Sequence, residues 1–485
     1  MARDHSVSTP LLSNKQGDPW RQYLVSLLAC LLSMATGCVA GWSAPAIPYL
    51  QNNVVGATRV VTPITDNEAS WIASIITIGA ILGSVPAGQL SYSLGRKWFL
   101  LLLAVPSIVG WLLIIYAEHN VMLLILGRFT TGIAFGACSV GIPLYNAEIV
   151  ADSIRGRVGV FFDLLLCFGI LWAYVWGALT TLHTLNTACA AVTIVFFAAF
   201  FWMPESPVYL MLKNRPGEAE ESLKWLRGPN FDVESELLRL NRIIEEGQNI
   251  SPRSGDDMNT FWKQMKRFQL KSPTGKAMII TMGLMTFQRF SGVSALIYYS
   301  VDIFRNAGTK ISPSHATIIV GAVQIVASLL SSLLIDKLGR RFLLLTSEIT
   351  MAMCQFLLVF YFIFKNQGYD MQDYSWVPIF SVCTIVAIFR VGIGPIPWFM
   401  MAELMPLEAK VWSSSFIMFY SWSCLFIVSK GFVDLIDLVG SAPTYALLGV
   451  ICLLGTAFVT FKVPETRNKS FETIQAELSI GYQPL

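Results

Sequence analysis

Charge is what this chain has least of. Asp, Glu, Lys and Arg make up only 13% of its 485 residues, about half the share of a water-soluble domain. That scarcity argues against a soluble globular fold. The four histidines, His5, His119, His183 and His315, are scattered and form no catalytic or metal-binding set. The nine cysteines all lie in apolar runs without CxxC spacing. A disulfide or metal framework is therefore not expected, and small apolar packing is the better reading. No GxxxxGK[ST] sequence is present, so nucleotide hydrolysis is not the driver. No nucleophile–base pairing is visible either, so neither an enzyme nor a cofactor is expected. The net charge of +3 implies no nucleic-acid partner. The first 20 residues are polar, with no apolar core or small-residue cleavage site, and do not form a signal peptide.

Long apolar runs are what the chain has instead. Hydrophobic residues make up 54% of it, in blocks long enough to cross a bilayer as helices. Twelve spans are placed at 22–44, 69–90, 98–117, 121–146, 158–180, 184–203, 277–300, 315–334, 342–364, 376–400, 412–434 and 442–462, numbered 1 to 12 below. With both termini inside, about 26 of the 34 Lys and Arg fall on the inner side and about 5 on the outer, a strong positive-inside bias. Arg128, Arg289 and Arg390 lie within spans. The expected organisation is a cytoplasmic N-terminus at 1–21, a six-helix bundle at 22–203, a cytoplasmic linker with short helices at 204–276, a second bundle at 277–462 and a cytoplasmic tail at 463–485. Glu220, Lys224 and Arg227 in the linker have helical spacing. The sequons at Asn249 and Asn468 fall on the inner side and are not expected to be glycosylated. Leu11–Leu12 lacks the upstream acid of a sorting dileucine.

The two bundles repeat one another. Gly95-Arg96 returns as Gly339-Arg340, Glu148 with Arg155 as Glu403 with Lys410, and Pro204-Glu205 as Pro464-Glu465. Ordered matches at nearly one offset mark an internal duplication. Duplicated membrane halves place a substrate route along their interface.

Further runs identify the pattern. They are Pro143-Leu-Tyr145-Asn-Ala-Glu148 with Arg155-Gly156, Pro204-Glu205-Ser206-Pro207, and Gln288 with Ser291-Gly292 and Tyr298-Tyr299. Gly392-Ile-Gly394-Pro395-Ile396-Pro397-Trp398 and Pro464-Glu465-Thr466 complete the set. Over nearly its whole length the chain resembles the sugar porter family of the major facilitator superfamily. Ser70-Trp71 and Glu221 to Gly228 look most like its insect facilitated trehalose transporter-like branch. The resemblance implies an all-α membrane protein of two pseudo-symmetric six-helix bundles. It implies facilitated transport of a sugar, hexose or trehalose, by alternating access. The implied setting is the plasma membrane, or an endosomal or lysosomal one, with the solute and the lipid bilayer as partners and no obligate protein partner. A charged solute on the same fold, or a non-transporting sugar sensor, are the rival readings.

The resemblance also implies a cavity and its gates. Gln288, Gln324, Trp398 and Trp422 match cavity positions, and Tyr298 and Tyr299 match an outer-gate pair. Four other cavity positions depart from the family. Asp163 and Arg289 replace glutamines, Ser294 replaces an asparagine, and Arg390 stands where glucose facilitators carry a glutamate. One acid and two bases on one route suggest that Asp163 pairs with Arg289 or Arg390, because a lone charge at membrane depth costs about 2.5–3.5 kcal/mol. These charges either bind substrate or only lock helices together. Arg289 and Arg390 together would favour a cargo with an acid group. Tyr92 replaces the acid of the first glycine–arginine motif, whereas the second keeps Asp336. Sugar–proton symporters of the family carry an aspartate where this chain has Ser43, so downhill transport is favoured. At the inner face, Glu148, Glu205, Glu403 and Glu465 are expected to pair with Arg96, Arg155, Arg340 and Lys410 at the seam between the halves, holding one state and releasing in the other. Gly392 and Gly394, before Pro395 and Pro397, should break span 10 as a hinge.

Overall fold

The computed structural model describes residues 19–51, 54–55, 58–59, 63–117, 120–151, 153–228, 231–250, 272–405, 407–467, 469 and 473. His5, His119, Leu11–Leu12 and Asn468 lie outside these residues, as do the side chains of Asn249, Asp336 and Lys410.

A chain crossing lipid must satisfy its backbone internally, and helices do so segment by segment. Among the described residues, eleven helical stretches are long and apolar enough to cross: Pro19–Gln51, Asp66–Leu94, Arg96–Tyr116, Val121–Ile149, Arg155–Leu179, Leu182–Phe200, Pro313–Ile335, Arg340–Asn366, Gln372–Leu404, Ser413–Val439 and Ser441–Lys462. Span 7 is the twelfth, broken into Pro273–Phe290, Val293–Tyr298 and Ser300–Ala307. Gly292 starts its middle piece at φ 82°, a left-handed conformation that suits glycine. Span 10 breaks where the glycines and prolines stand, between Val391 and Ile396. A two-residue antiparallel pairing, Val54–Val55 with Thr58–Arg59, is the sole strand structure among the described residues.

Polar residues mark where the spans begin. Thr65 and Glu68 form a reciprocal capping box at span 2, and the Asn120 carboxamide accepts from two amides at span 4. These groups satisfy helix-start donors that would otherwise lack partners. Small residues let the spans approach closely. A Cβ at Gly37 of span 1 would strike the backbone of span 5, and one at Gly169 of span 5 would strike span 1.

Among its described residues the linker carries three helices, Pro207–Leu212, Pro216–Arg227 and Val233–Ile250, and the helical spacing at Glu220 places it 2.7 Å from Lys224. Arg227 donates to the Gln22 carboxamide oxygen and Arg21 to the carbonyl of Trp225 at 3.0 Å, which clips the second linker helix to the start of span 1.

The apolar core shows how the halves meet. We call the face where span 1 begins and span 12 ends the terminal face. Near it, Val25, Phe99, Tyr145 and Phe200 form a core built from the first half with Leu226 of the linker. Toward the opposite face one continuous core runs through both halves, from Trp42, Ile72 and Trp111 to Leu296, Tyr298 and Phe304. Among the described residues, shared apolar burial therefore joins the halves toward one face and not at the other.

Candidate functional site

The seam at mid-depth is built from side chains of both halves. Span 5 contributes Asp163, whose carboxylate lies 2.6 Å from Nη1 of Arg390 on span 10. Arg390 also donates to Gln324 Oε1 at 3.0 Å, and Ser328 donates to Asp163 at 2.7 Å. Asp163 of the first half thus holds two residues of the second, and Arg390 ties in a third. Arg390 is buried, while Asp163 keeps about a third of its side chain exposed.

Arg289 takes no part in that cluster. Its Nε donates to Ser421 Oγ at 2.9 Å, and its guanidinium lies 5.7 Å from the Trp398 ring and 5.3 Å from the Trp422 ring. Trp422 in turn meets Phe135 of the first half edge-on at 5.2 Å. Of the two bases offered to Asp163, geometry therefore selects Arg390.

Gln288 serves the break in span 10. Its amide donates to the carbonyls of Ile393 and Gly394, at 2.9 and 2.5 Å. Gly392 to Pro395 lie outside the helical ladder, and Pro395 and Pro397 have no N–H, so the carbonyls at the break need outside donors. Ser294 sits half-buried in the first turn of the middle piece of span 7. Tyr298 and Tyr299 are both buried at the junction of the next piece. The Tyr299 hydroxyl donates to the Ser429 carbonyl at 3.1 Å, and its ring stacks on Phe432.

Three features close the opposite face. Tyr174 of span 5 donates to the Ile297 carbonyl at 2.8 Å. Lys430 of span 11 donates to Asn67 and Ser70 of span 2, at 3.0 and 2.7 Å, and lies over the Trp71 ring. Trp71 also meets Phe426 at 6.0 Å.

At the terminal face the charged motifs assemble within each half, not across the seam. Glu205 accepts from the amides of Arg96 and Lys97 at 3.0 Å each, so a carboxylate caps the start of span 3. Glu465 repeats this at span 9, with the amides of Arg340 and Arg341 at 3.0 Å each. A carboxylate is favoured at a helix start, where backbone N–H groups and the helix dipole converge. Gly95 and Gly339, at φ 102° and 88°, hold the preceding turn, and a Cβ at either would meet the capping carboxylate. Arg96 pairs with Glu148, and Arg340 with Glu403. Arg155 is exposed and donates to the Ala147 carbonyl. The expectation of cross-seam pairs is corrected in this respect: each described pair joins helices of one half. The cause lies in the motif, since its glycine turn aims the arginine back at its own bundle.

Three further charged residues have contacts that the sequence does not indicate. Arg128 is fully buried and spends its donors on Ile72 and Val39 carbonyls and on Ser43 Oγ, at 3.2, 2.6 and 2.7 Å, with its guanidinium 4.8 Å from the Trp42 ring. Glu348 is fully buried between spans 9 and 12, beside Cys452 and Gly455. Lys430 clasps the sealed face. The available signal for the first two was a charge inside an apolar run.

Comparison with known proteins adds the following. The profile of a family described as "Sugar (and other) transporter" matches residues 25–478. A facilitated trehalose transporter Tret1 of Aedes aegypti is 35% identical over 459 residues, which cover 95% of this chain and 55% of that protein. A facilitated trehalose transporter Tret1-2 homolog of Drosophila simulans is 35% identical over 480 residues, 99% of this chain and 95% of that one. Among solved structures, the xylose transporter XylE from E. coli in a partially occluded inward open conformation superposes with a TM-score of 0.74. It is 20% identical, and the match covers 93% of this chain and 100% of that one.

Proposed function

The chain belongs to the sugar (and other) transporter family and has the major facilitator fold, and from that premise we propose that it carries a hexose or trehalose down its gradient by alternating access. It is a transporter and not an enzyme. The observation that carries the reading is the seam. Amide, hydroxyl and indole groups of the second half converge there with Asp163 and Phe135 of the first, and these are groups that suit a hydroxyl-covered solute.

The bundles at 22–203 and 277–462 rock about this seam. Trp398, Trp422 and Ser294 face the solute. Tyr298 and Tyr299, with Lys430, close the outer gate. Arg96, Glu148, Arg155, Glu205, Arg340, Glu403, Lys410 and Glu465 tune the inner one. Downhill transport is supported by Arg128, which binds the hydroxyl of Ser43 and two carbonyls and, among the described residues, has no carboxylate hydrogen-bonded to it. A proton-coupled carrier needs a group that gains and loses a proton along the route. The positive-inside bias supports termini in the cytoplasm.

The test is uptake of labelled glucose and trehalose into proteoliposomes, with and without a pH gradient. Internal sugar is expected to level off at the external concentration in both cases. Accumulation above that level, only with the gradient, overturns downhill transport. No entry of either sugar overturns the substrate reading.

A further inference from the structure

Arg289 stands apart from the other charges of the seam. The negative charge of Asp163 is matched by Arg390 at 2.6 Å. Among the described residues no carboxylate forms an ion pair with Arg289. Its side chain donates instead to a neutral hydroxyl, Ser421, and its ring neighbours are Trp398 and Trp422. It remains partly exposed, and its Nη groups are not among the buried unpartnered atoms. A cation at membrane depth is unfavourable unless an anion or water compensates it.

The hydrogen-bonding balance of the seam points the same way. Trp422 Nε1, beside Arg289, is buried without an acceptor, as are Gln324 Nε2 and Arg390 Nε. Gln288 Oε1 is the lone buried acceptor left over among the seam residues. Sugar hydroxyls both give and accept hydrogen bonds. A wall with three spare donors, one spare acceptor and an uncompensated guanidinium favours a ligand that mainly accepts. Two indoles flanking the guanidinium add flat apolar faces of the kind that cover a pyranose ring.

We propose that Arg289, with the Trp422 indole, anchors an anionic group on the carbohydrate, so that the transporter prefers sugars bearing a carboxylate or phosphate over their neutral parents. The inference rests on the reading that the chain carries a sugar, and it names the class of sugar. A planar guanidinium offers two parallel N–H groups to such an oxyanion.

The test is competition against labelled glucose uptake in proteoliposomes of the full chain, using glucose, glucuronate and glucose 6-phosphate. At least one anion is expected to inhibit at a concentration about tenfold lower than glucose, the scale of a charge-assisted hydrogen bond. The arm with the advantage tells carboxylate from phosphate. Arg289→Gln is expected to bring the ratio of half-inhibition values to about one, and Arg289→Lys to retain part of the preference. Equal potencies in the native protein overturn the proposal, as does a ratio unchanged in Arg289→Gln. Should Arg289→Gln fail to fold, loss of the preference in a folded Arg289→Lys overturns the role of charge. If no glucose enters at all, the sugar-carrier reading fails by itself. Quenching of tryptophan fluorescence by glucuronate or glucose 6-phosphate then tests the anchor independently. Quenching in the native protein but not in Arg289→Gln upholds it, and no quenching by either anion overturns it.

Discussion

The two copies of the glycine–arginine motif share a backbone plan and differ in how fully they are assembled. In the first half, Arg96 grips Glu148 through Nε and Nη2 with contacts of 2.9 to 3.0 Å. Ser206 completes the set by donating to the same carboxylate. The pair is nearly buried, with side chains 6% and 11% exposed. In the second half, Arg340 reaches Glu403 through one contact at 3.2 Å, and the side chains are 17% and 29% exposed. Arg340 Nε and Glu403 Oε2 are both without partners. Thr466, which takes the place of Ser206 in the repeat, has an unpartnered hydroxyl as well. Equal sequence signatures have thus produced a closed triad in one half and a slack one in the other. The lesson is that a motif specifies the turn and the capping carboxylate, while the third partner decides how tightly the arginine is held.

The comparison can be broken most directly at the arginines. Arg96→Ala leaves Glu148 buried and unpaired and is expected to cost about 3–5 kcal/mol. Arg340→Ala removes one looser charged hydrogen bond and should cost only about 1–2 kcal/mol. Thermal midpoints of the purified proteins in detergent check the order, and equal losses would show the two copies to be equivalent after all.

A pH profile gives a smaller effect. Burial raises the Glu205 carboxyl above the ordinary carboxylate value of 4.5, outweighing its backbone hydrogen bonds and Arg96, which pull it down. A raised value means that the folded protein binds the proton more tightly than the unfolded chain. This contribution to stability is therefore present in acid and lost as pH rises through the folded value. Glu205→Gln is expected to flatten the fall in midpoint as pH rises above the ordinary carboxylate range. A profile identical to that of the native protein would remove Glu205 as its source.

The smallest effect concerns Tyr92, the residue in place of the motif's acid. Its ring lies 4.7 Å from the Lys213 ammonium and 6.0 Å from the Arg96 guanidinium. Tyr92→Ala should cost about 0.5–1 kcal/mol, the scale of an exposed cation–π contact, and Tyr92→Phe almost nothing. A loss in Tyr92→Phe as large as in Tyr92→Ala would mean that the hydroxyl, not the ring, matters.

Much of the fold could be read from the chain because lipid restricts the choices. Apolar runs of bilayer length must be helical, and Gly392 to Pro397 must interrupt one. What could not be read is which side chains meet. Asp163 was offered two bases of equal chemistry. The choice depends on rotation of the helices: span 10 turns Arg390 toward span 5, while span 7 turns Arg289 toward Ser421 of span 11. The arginine–glutamate pairs were legible as pairs, but not as contacts internal to each half, because sequence spacing carries no information about facing direction. Arg128 was visible as a charge in an apolar run. Its partners were not, since two of its three hydrogen bonds go to backbone carbonyls, which have no sequence signature.

The amide of Gln288 is committed to two carbonyls at the interruption of span 10. A guest molecule that claimed that amide would return both carbonyls to an unsatisfied state unless the helix straightened or bent further. Occupancy and flexing would then be thermodynamically linked, each altering the equilibrium of the other by the same free energy. One carboxamide would serve as both receptor and lever.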